Sequence, residues 1–440
     1  MLVAQIIICI TLVAMISGKV PLYLTAFVGA TIAALAAGFP MIAAWAPYGY
    51  QGPLVMPMVV ANGLNPVILD MLGVLLFIGI MEKAGFLNSI ILKIIRIGHN
   101  LGRGPGIATA GGIAAGIIGG MTGFTQPAIT GVVTGPPAVE MGVDKNRVAG
   151  ILAHAGHLGN LGGFTHPTIV AVVAMTGIAW GPTNLVGMIV AGSIFAASFI
   201  RVRRAMKAEG TLSQKVDLEL ETSEIPPGKA IIPFIVLITA FIFGVPVVMA
   251  GIGSALIVVL MSVKDFVRGE KDMMDGLGRI TVPLFATVAF LFMAGVVREI
   301  GLIDILVRSE DGVVVGGLLY GALSASPVVL ILIMFLVGSI AGLVTQSNGA
   351  SIPFILPVLM ALLEAGVNPV AAAVAAAGGP AIMQYYLTGG PVAALSTVIP
   401  VIPGSDLKLA NKFQRPSILV GMAVLLVICI LLGLVMPHGM

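Results

Sequence analysis

Apolar runs recur along this chain, separated by short polar or glycine-rich stretches. The uninterrupted runs are residues 2–17, 21–38, 64–81, 183–200, 230–244, 245–263, 280–297 and 417–436. A helix needs roughly 20 apolar residues to cross the hydrocarbon of a bilayer, so each run predicts a membrane span. None shows the short period-two alternation of a membrane β-barrel. The pattern predicts an all-α polytopic membrane protein. Two regions, 104–180 and 324–402, are as apolar as the spans but are broken by Gly, Pro and polar clusters. The one long polar stretch, 201–229, reads as a linker that divides the chain nearly in half.

The two halves carry matching landmarks. Glu82-Lys83-Ala84-Gly85-Phe86-Leu87-Asn88 aligns with Arg298-Glu299-Ile300-Gly301-Leu302-Ile303-Asp304 at an offset of 216. Thr125-Gln126-Pro127 aligns with Thr345-Gln346-Ser347 at 220, and Glu140–Asp144 with Glu364–Asn368 at 224. At that last offset Asn160 meets Gln384 and Pro167 meets Pro391. The order is kept and the offset grows by about one helical turn at a time. A two-fold internal repeat follows, the usual construction of secondary transporters.

Composition sharpens this reading. Only 9% of the 440 residues are charged and the mean hydropathy is +1.11, against about 25% charged in a soluble domain. The first apolar run lacks a basic flank and a small-residue cleavage site, so it reads as a span, not a leader. Cys9 and Cys429 both sit in apolar runs, which points to neither a disulfide framework nor a metal site.

Basic residues orient the chain. With the 201–229 linker in the cytoplasm, Lys19, the segment 82–104, Lys145, Arg147 and the segments 264–279 and 405–416 also fall inside. This works only if 105–140 and 324–364 are re-entrant hairpins that return to the face they left. Of 22 basic residues, Arg298 and Arg308 alone are then external. Both termini come out on the external face and the second half is inverted relative to the first. Residues 85–100 and 301–312 are expected as interfacial helices. The full expectation is about ten spans plus two hairpins.

The hairpin tips are Thr122–Ala128 and Thr345–Ser351. Irregular polar backbone cannot face lipid, so such tips must be buried in protein or line a wet cavity. Each hairpin is followed by a span with a break, over residues 154–167 in the first half and 377–391 in the second. Helix halves starting at Pro167 and Pro391 would offer free N–H donors and partial positive charge to an anion. The ends of the preceding halves would offer carbonyls to a cation. The candidate substrate contacts are Thr125, Gln126, His157, Asn160, Thr165, Ser347, Asn348, Gln384 and Thr388. The candidate ion-coupling positions are Thr345, Gln346, Gly349, Gly159, His154 and Asp70. His154, His157 and His166 are three of the five histidines, and histidine titrates near physiological pH. Tyr385 and Tyr386 fall in the second break. Asp70 is an acid within a plain span, itself a functional signal. Glu140, Asp144 and Glu364 read as helix caps. No Lys or Arg falls inside either break.

These two hairpins and two broken helices resemble the ion transporter superfamily of secondary carriers. Thr345-Gln346-Ser347-Asn348-Gly349-Ala350-Ser351 is similar to the Ser-Asn-Thr hairpin tip of divalent anion/sodium symporters, whereas Gln126-Pro127 departs from that pattern. The glycine-rich style and Val401–Phe413 resemble the anaerobic C4-dicarboxylate carriers and their gluconate and citrate relatives. The resemblance implies a homodimer working by an elevator motion. It divides the chain into scaffold spans (1–103), a first transport region (104–180), a span (181–200), a linker (201–229), further scaffold spans (230–323), a second transport region (324–402) and a last span (403–440).

The expected function is secondary active transport of a small organic anion, most simply a C4-dicarboxylate, in a prokaryotic inner membrane. Na⁺ is a candidate coupling ion, alongside H⁺ or exchange. No cofactor or nucleic-acid partner is expected. A cation/proton antiporter is the alternative, for which Asp70 is the available acid. A channel would have to pass two tips meeting at mid-membrane. An intramembrane enzyme would need a nucleophile–base pair or a metal set at workable spacing, which the histidines do not supply.

Overall fold

The computed structural model describes residues 1–17, 19–63, 67–122, 127–212, 223–262, 265–277, 281–306, 308–310, 313–318, 321, 326–387 and 398–436. Thr125, Gln126, Thr388 and Pro391 lie outside them, as does most of the polar linker.

The first half runs α1 (Leu2–Ile16), α2 (Leu22–Ala36), α3 (Val67–Lys83), α4 (Phe86–Thr122), α5 (Pro127–Glu140), α6 (Lys145–Ala153), α7 (Ala155–Gly162), α8 (Pro167–Thr176) and α9 (Pro182–Glu209). The second runs α10 (Ile232–Ile242), α11 (Val247–Ser262), α12 (Phe266–Leu277), α13 (Thr281–Glu299), strands β1 (Arg308–Glu310) and β2 (Val313–Gly316), α14 (Pro327–Thr345), α15 (Asn348–Glu364), α16 (Pro369–Met383) and α17 (Leu407–Val435). The described residues are overwhelmingly helical. Five segments among them are long and apolar enough to cross a membrane, and shorter apolar helices accompany them.

Both hairpins return to the face they left. Arg103 (φ 51°) breaks α4 into a surface helix and an inward arm. At the base of that arm Gly104 packs on Ala138, Met141 and Val143; farther in, Gly111 packs on Thr134. Arms α14 and α15 reverse at Gln346, which adopts φ 50°. Each hairpin is followed by a helix with the same kind of cap. Asp144 accepts from the N–H groups of Asn146 and Arg147, and Asn368 from those of Val370 and Ala371.

The repeat is inverted. The last spans cross antiparallel: Ile194 packs on Gly421, Ser198 bonds Ser417 and Arg201 bonds the Phe413 carbonyl. Partners are exchanged between halves, with α3 on α11 and α13 on α2. Groups assigned to one face by charge also meet. Lys83 pairs with Asp275, Arg147 with Glu209, and Asn146 accepts from the Asp406 N–H.

Four expectations change. The described residues of 301–312 form no interfacial helix: turns over 301–306 precede strands β1 and β2, where consecutive β-branched valines favour strand over helix. The stretch 201–209 is not linker, because α9 continues to a stop at Gly210 (φ 72°). The last span likewise begins ten residues early, at Leu407, capped by Asp406. The breaks are also narrower than the glycine pattern implies. Helix runs through 155–162 and through Gly378, Gly379 and Pro380.

The narrower breaks have a packing cause. Gly338 and Gly342 of α14 lie against Pro380, and Gly379 lies against Ser339. In the first half Gly112, Gly116 and Gly120 lie against residues 151–163. The glycines let backbones approach each other inside the membrane.

Candidate functional site

The centre of the molecule is organised around Asn348, the first residue of α15. Its N–H donates to Gln384 Oε1 at 2.9 Å and its carbonyl accepts from Thr168 Oγ1 at 3.2 Å. Its side-chain Nδ2 lies 3.3 Å from His166 Nδ1 and 3.5 Å from the Asn160 carbonyl. One tip thus holds both broken helices at once: Asn160, His166 and Thr168 from the first, and Gln384 from the second. Asn160 Nδ2 also donates to the Tyr385 hydroxyl at 3.1 Å, joining the breaks directly. Asn160, Asn348, Gln384 and Tyr385 are all buried.

Two features leave this cluster able to take a ligand. Asn348 Oδ1 is buried and has no hydrogen-bond partner, a state that costs about 1–3 kcal/mol for a buried polar atom. His166 Nδ1 faces two donors, Asn348 Nδ2 and the Thr168 N–H at 3.3 Å. It therefore accepts, and the ring proton of neutral His166 sits on Nε2. The N-termini of α15 and of α8 converge here, and both favour negative charge.

The other expected residues take varied places. Thr345 Oγ1 bonds the Ala341 and Ser347 carbonyls and Ser351 Oγ, while Ser347 Oγ caps the Ala350 N–H. Both hydroxyls are spent within the tip. Gln346 makes the reversal itself, and Gly349 faces open space toward Leu22 of α2. Thr165 Oγ1 donates to the Gly120 carbonyl at the end of the first hairpin arm, and Gly159 lies near Gly120. His157 is buried about one turn, and His154 about two turns, before Asn160. Asp70 stands apart: it accepts from Trp180 Nε1 at 3.2 Å and from the Val248 N–H at 3.0 Å, capping α11.

One expectation is corrected. Several of the carbonyls freed at the breaks are taken by side chains among the described residues. Gly163 O accepts from Asn184 Nδ2 at 2.7 Å. Asn411 Nδ2 bonds the carbonyls of Tyr385 and Leu387, and Arg415 Nε bonds that of Tyr386 at 3.1 Å. Arg415 therefore reaches the second break from α17, which no reading of the break alone could supply. Thr168 also escaped notice, because a lone threonine in an apolar helix carries no signal. Tyr385 and His166 were visible as polar groups in a break, but their partners were not.

Beside the site, an apolar cavity of about 300 Å³ separates α7 and the first hairpin arm from α3 and α10. Phe77, Ile117, Leu158, Phe164 and Phe234 are among its lining residues.

No protein-family model and no curated protein matches this sequence. Solved structures do. The YdaH transporter of Alcanivorax borkumensis, described as having an unusual topology, superposes with a TM-score of 0.59 at 15% identity, covering 86% of this chain and 87% of that one. MtrF of Neisseria gonorrhoeae, described within a class of antimetabolite efflux pumps, superposes with a TM-score of 0.60 at 11% identity, covering 93% and 95%. The chain shares the fold of these membrane transporters over nearly its whole length.

Proposed function

We propose that this protein is a secondary carrier of a small organic anion, most simply a C4-dicarboxylate. The observation that carries the reading is the convergence of one re-entrant tip, at Asn348, with both broken helices. A site shared by tip and breaks can be exposed to either side only if they move together, which is the logic of alternating access.

His166 Nε2–H and the converging helix N-termini supply donors for a carboxylate. Asn348 Oδ1 lacks a donor and suits a coupling cation or a ligand hydroxyl. Asn160, Gln384 and Tyr385 complete the polar lining, with Thr125, Gln126, Thr165, Ser347 and Thr388 as further candidates and Gly159, Gly349, Thr345 and Gln346 as candidate ion contacts. In an elevator motion the hairpins and broken helices would slide against the remaining spans, and the apolar cavity beside Phe164 lies along that boundary. Coupling to Na⁺ or H⁺, exchange, a homodimeric state and an inner-membrane location belong to the same proposal, as does membership of the ion transporter superfamily.

Export is a second reading. One structural neighbour is described as an antimetabolite efflux pump, and an alternating-access site serves either direction. The cation/proton antiporter is the weaker alternative, since Asp70 lies away from the cluster and is engaged by Trp180 and Val248.

A thermal-shift screen of the purified protein tests the carrier. Succinate, fumarate, malate, citrate, gluconate and lactate are each added with Na⁺ and with K⁺. A solute that binds the folded state raises the melting temperature by mass action. The expected result is a shift with one carboxylate that disappears in Asn160→Ala and Asn348→Ala. A response to cations or pH alone, with no organic anion active, would replace this reading by the antiporter.

A further inference from the structure

The apolar cavity beside the site is not part of the hydrogen-bonded cluster. One wall is built from Ile117 of the first hairpin arm and from Leu158 and Gly162 of α7, the other from Phe77 of α3 and Phe234 of α10. Leu158 and Gly162 stand two residues before and after Asn160, about 200° round the helix from it. The cavity therefore lies behind the broken helix, away from the face on which Asn160 meets Tyr385. Its volume is about 300 Å³, roughly twice that of an apolar cavity able to hold benzene.

No polar side chain lines it among the described residues. Backbone carbonyls along its wall are already used: Gly120 O accepts from the Phe164 N–H and from Thr165 Oγ1, and Gly163 O accepts from Asn184 Nδ2. Water finds too few partners there to be held. Side chains that face an unfilled volume forfeit dispersion contacts, and a volume of this size is costly to leave so. An apolar guest is therefore favoured. The cavity also opens towards the lipid-facing side of the molecule. Its lining residues Met188 of α9 and Ile238 of α10 are 43% and 51% exposed, and their neighbours Leu185, Ile189 and Ile235 are exposed too. In a bilayer the medium at such residues is hydrocarbon chain.

Ile90, on the surface helix that opens α4, and Ile231, at the start of α10, form the end of the cavity nearest that helix. Ser89 Oγ donates to the Ile225 carbonyl and ties the two segments together. From Ile231 to Ile238 the wall rises roughly 10 Å, against roughly 15 Å for half the hydrocarbon thickness of a bilayer. Lys93 follows Ile90 by one turn of the surface helix and is exposed, so a cation stands where a lipid headgroup would lie. We propose that the cavity binds one acyl chain of an anionic phospholipid, entering between α9 and α10, with its phosphate at Lys93. The chain runs from Ile90 towards Phe164 and lies between α7 and the first hairpin arm on one side and α3 and α10 on the other. On the proposed carrier reading these are the moving and the fixed parts, and the chain would resist their sliding. Its binding does not depend on that reading and is measured without solute, so the two can fail separately.

The test is photolabelling of the full chain in phosphatidylethanolamine nanodiscs that contain phosphatidylglycerol with a diazirine near the end of one acyl chain. Mass spectrometry of the digested protein locates the adducts. Ile117, Leu158 and Phe234 are expected to carry label. Ile238→Trp places a larger ring at the mouth and should lose that label. Ile235→Trp, on the same helix but outside the cavity, should keep it. Should Ile238→Trp fail to fold, Ile117→Phe fills the cavity from the opposite wall and should remove the label from Leu158 and Phe234. With the diazirine on phosphatidylcholine, labelling should fall about fivefold, the preference that one basic residue near a membrane surface gives an anionic lipid, and Lys93→Gln should abolish the difference. Label confined to Leu185, Ile189 and Ile235 overturns the site. Equal labelling by the two lipids in the native chain overturns the headgroup contact. Label at Ile117 and Leu158 that added succinate or benzoate displaces would make the cavity part of a solute path and overturn the lipid assignment.

Discussion

Asn348 shows how much a single residue carries here. Two of its four contacts use backbone atoms and two use Nδ2. Asn348→Ala keeps the former and loses the latter, which are long. The expected cost is about 1 kcal/mol, a drop of a few degrees in melting temperature, together with complete loss of the carboxylate-induced shift. A variant that melts normally and still responds to the solute would remove Asn348 from the site. Asp70 is the contrasting case. Asp70→Asn weakens the cap on α11 and the bond to Trp180, and charged hydrogen bonds of this kind contribute about 1.5–3 kcal/mol. Melting should fall while the solute response persists. Loss of a cation or pH response with the fold intact would instead restore Asp70 as a coupling acid.

Among the elements, the hairpin arms and broken helices depend on glycine for contact more than for bending. A Cβ on Gly342 would lie 2.6 Å from Pro380 Cα, whereas one on Gly253 in α11 would meet nothing. Gly342→Ala is therefore expected to destabilise by about 1–3 kcal/mol through overpacking. Gly253→Ala should raise the melting temperature, because alanine is about 1 kcal/mol better than glycine inside a helix. Equal effects at the two positions would show that the α14–α16 contact is loose. The caps were legible in advance at Asp144, which binds two N–H groups as expected, and its repeat partner Asn368 does the same. Removing either by alanine should cost about 1 kcal/mol.

For the whole molecule, inversion is expected to place 82–104, 145–147 and 405–416 on one face, and the ion pairs Lys83–Asp275 and Arg147–Glu209 join groups assigned to it. We propose, from the distribution of basic residues, that this face is the cytoplasmic one. With Cys9 and Cys429 replaced by alanine, Glu224→Cys and Lys271→Cys should react with an impermeant maleimide only in inside-out vesicles. Trp45→Cys should react only in right-side-out vesicles, since Trp45 is 69% exposed and follows α2, which the expected topology ends on the external face. Labelling of positions 45 and 224 from the same side would refute the arrangement.

The apolar helices, the two-fold repeat, the re-entrant hairpins and the cap at Asp144 were written locally, in apolar runs, in the ordered offsets between halves, and in an acid just before a helix, whereas Glu140 and Glu364 end their helices and cap nothing. These features depend on neighbours in the chain, so the sequence alone determined them. The extent of the breaks did not follow from the sequence, because Gly378, Gly379 and Pro380 are as suited to tight packing as to interruption, and only the approach of Gly338 and Gly342 decides. The fate of the freed carbonyls was equally hidden, since Asn184, Asn411 and Arg415 reach them from helices remote in sequence. A polar side chain in a membrane acquires its role from the partner that satisfies it, and that partner is chosen by the tertiary structure.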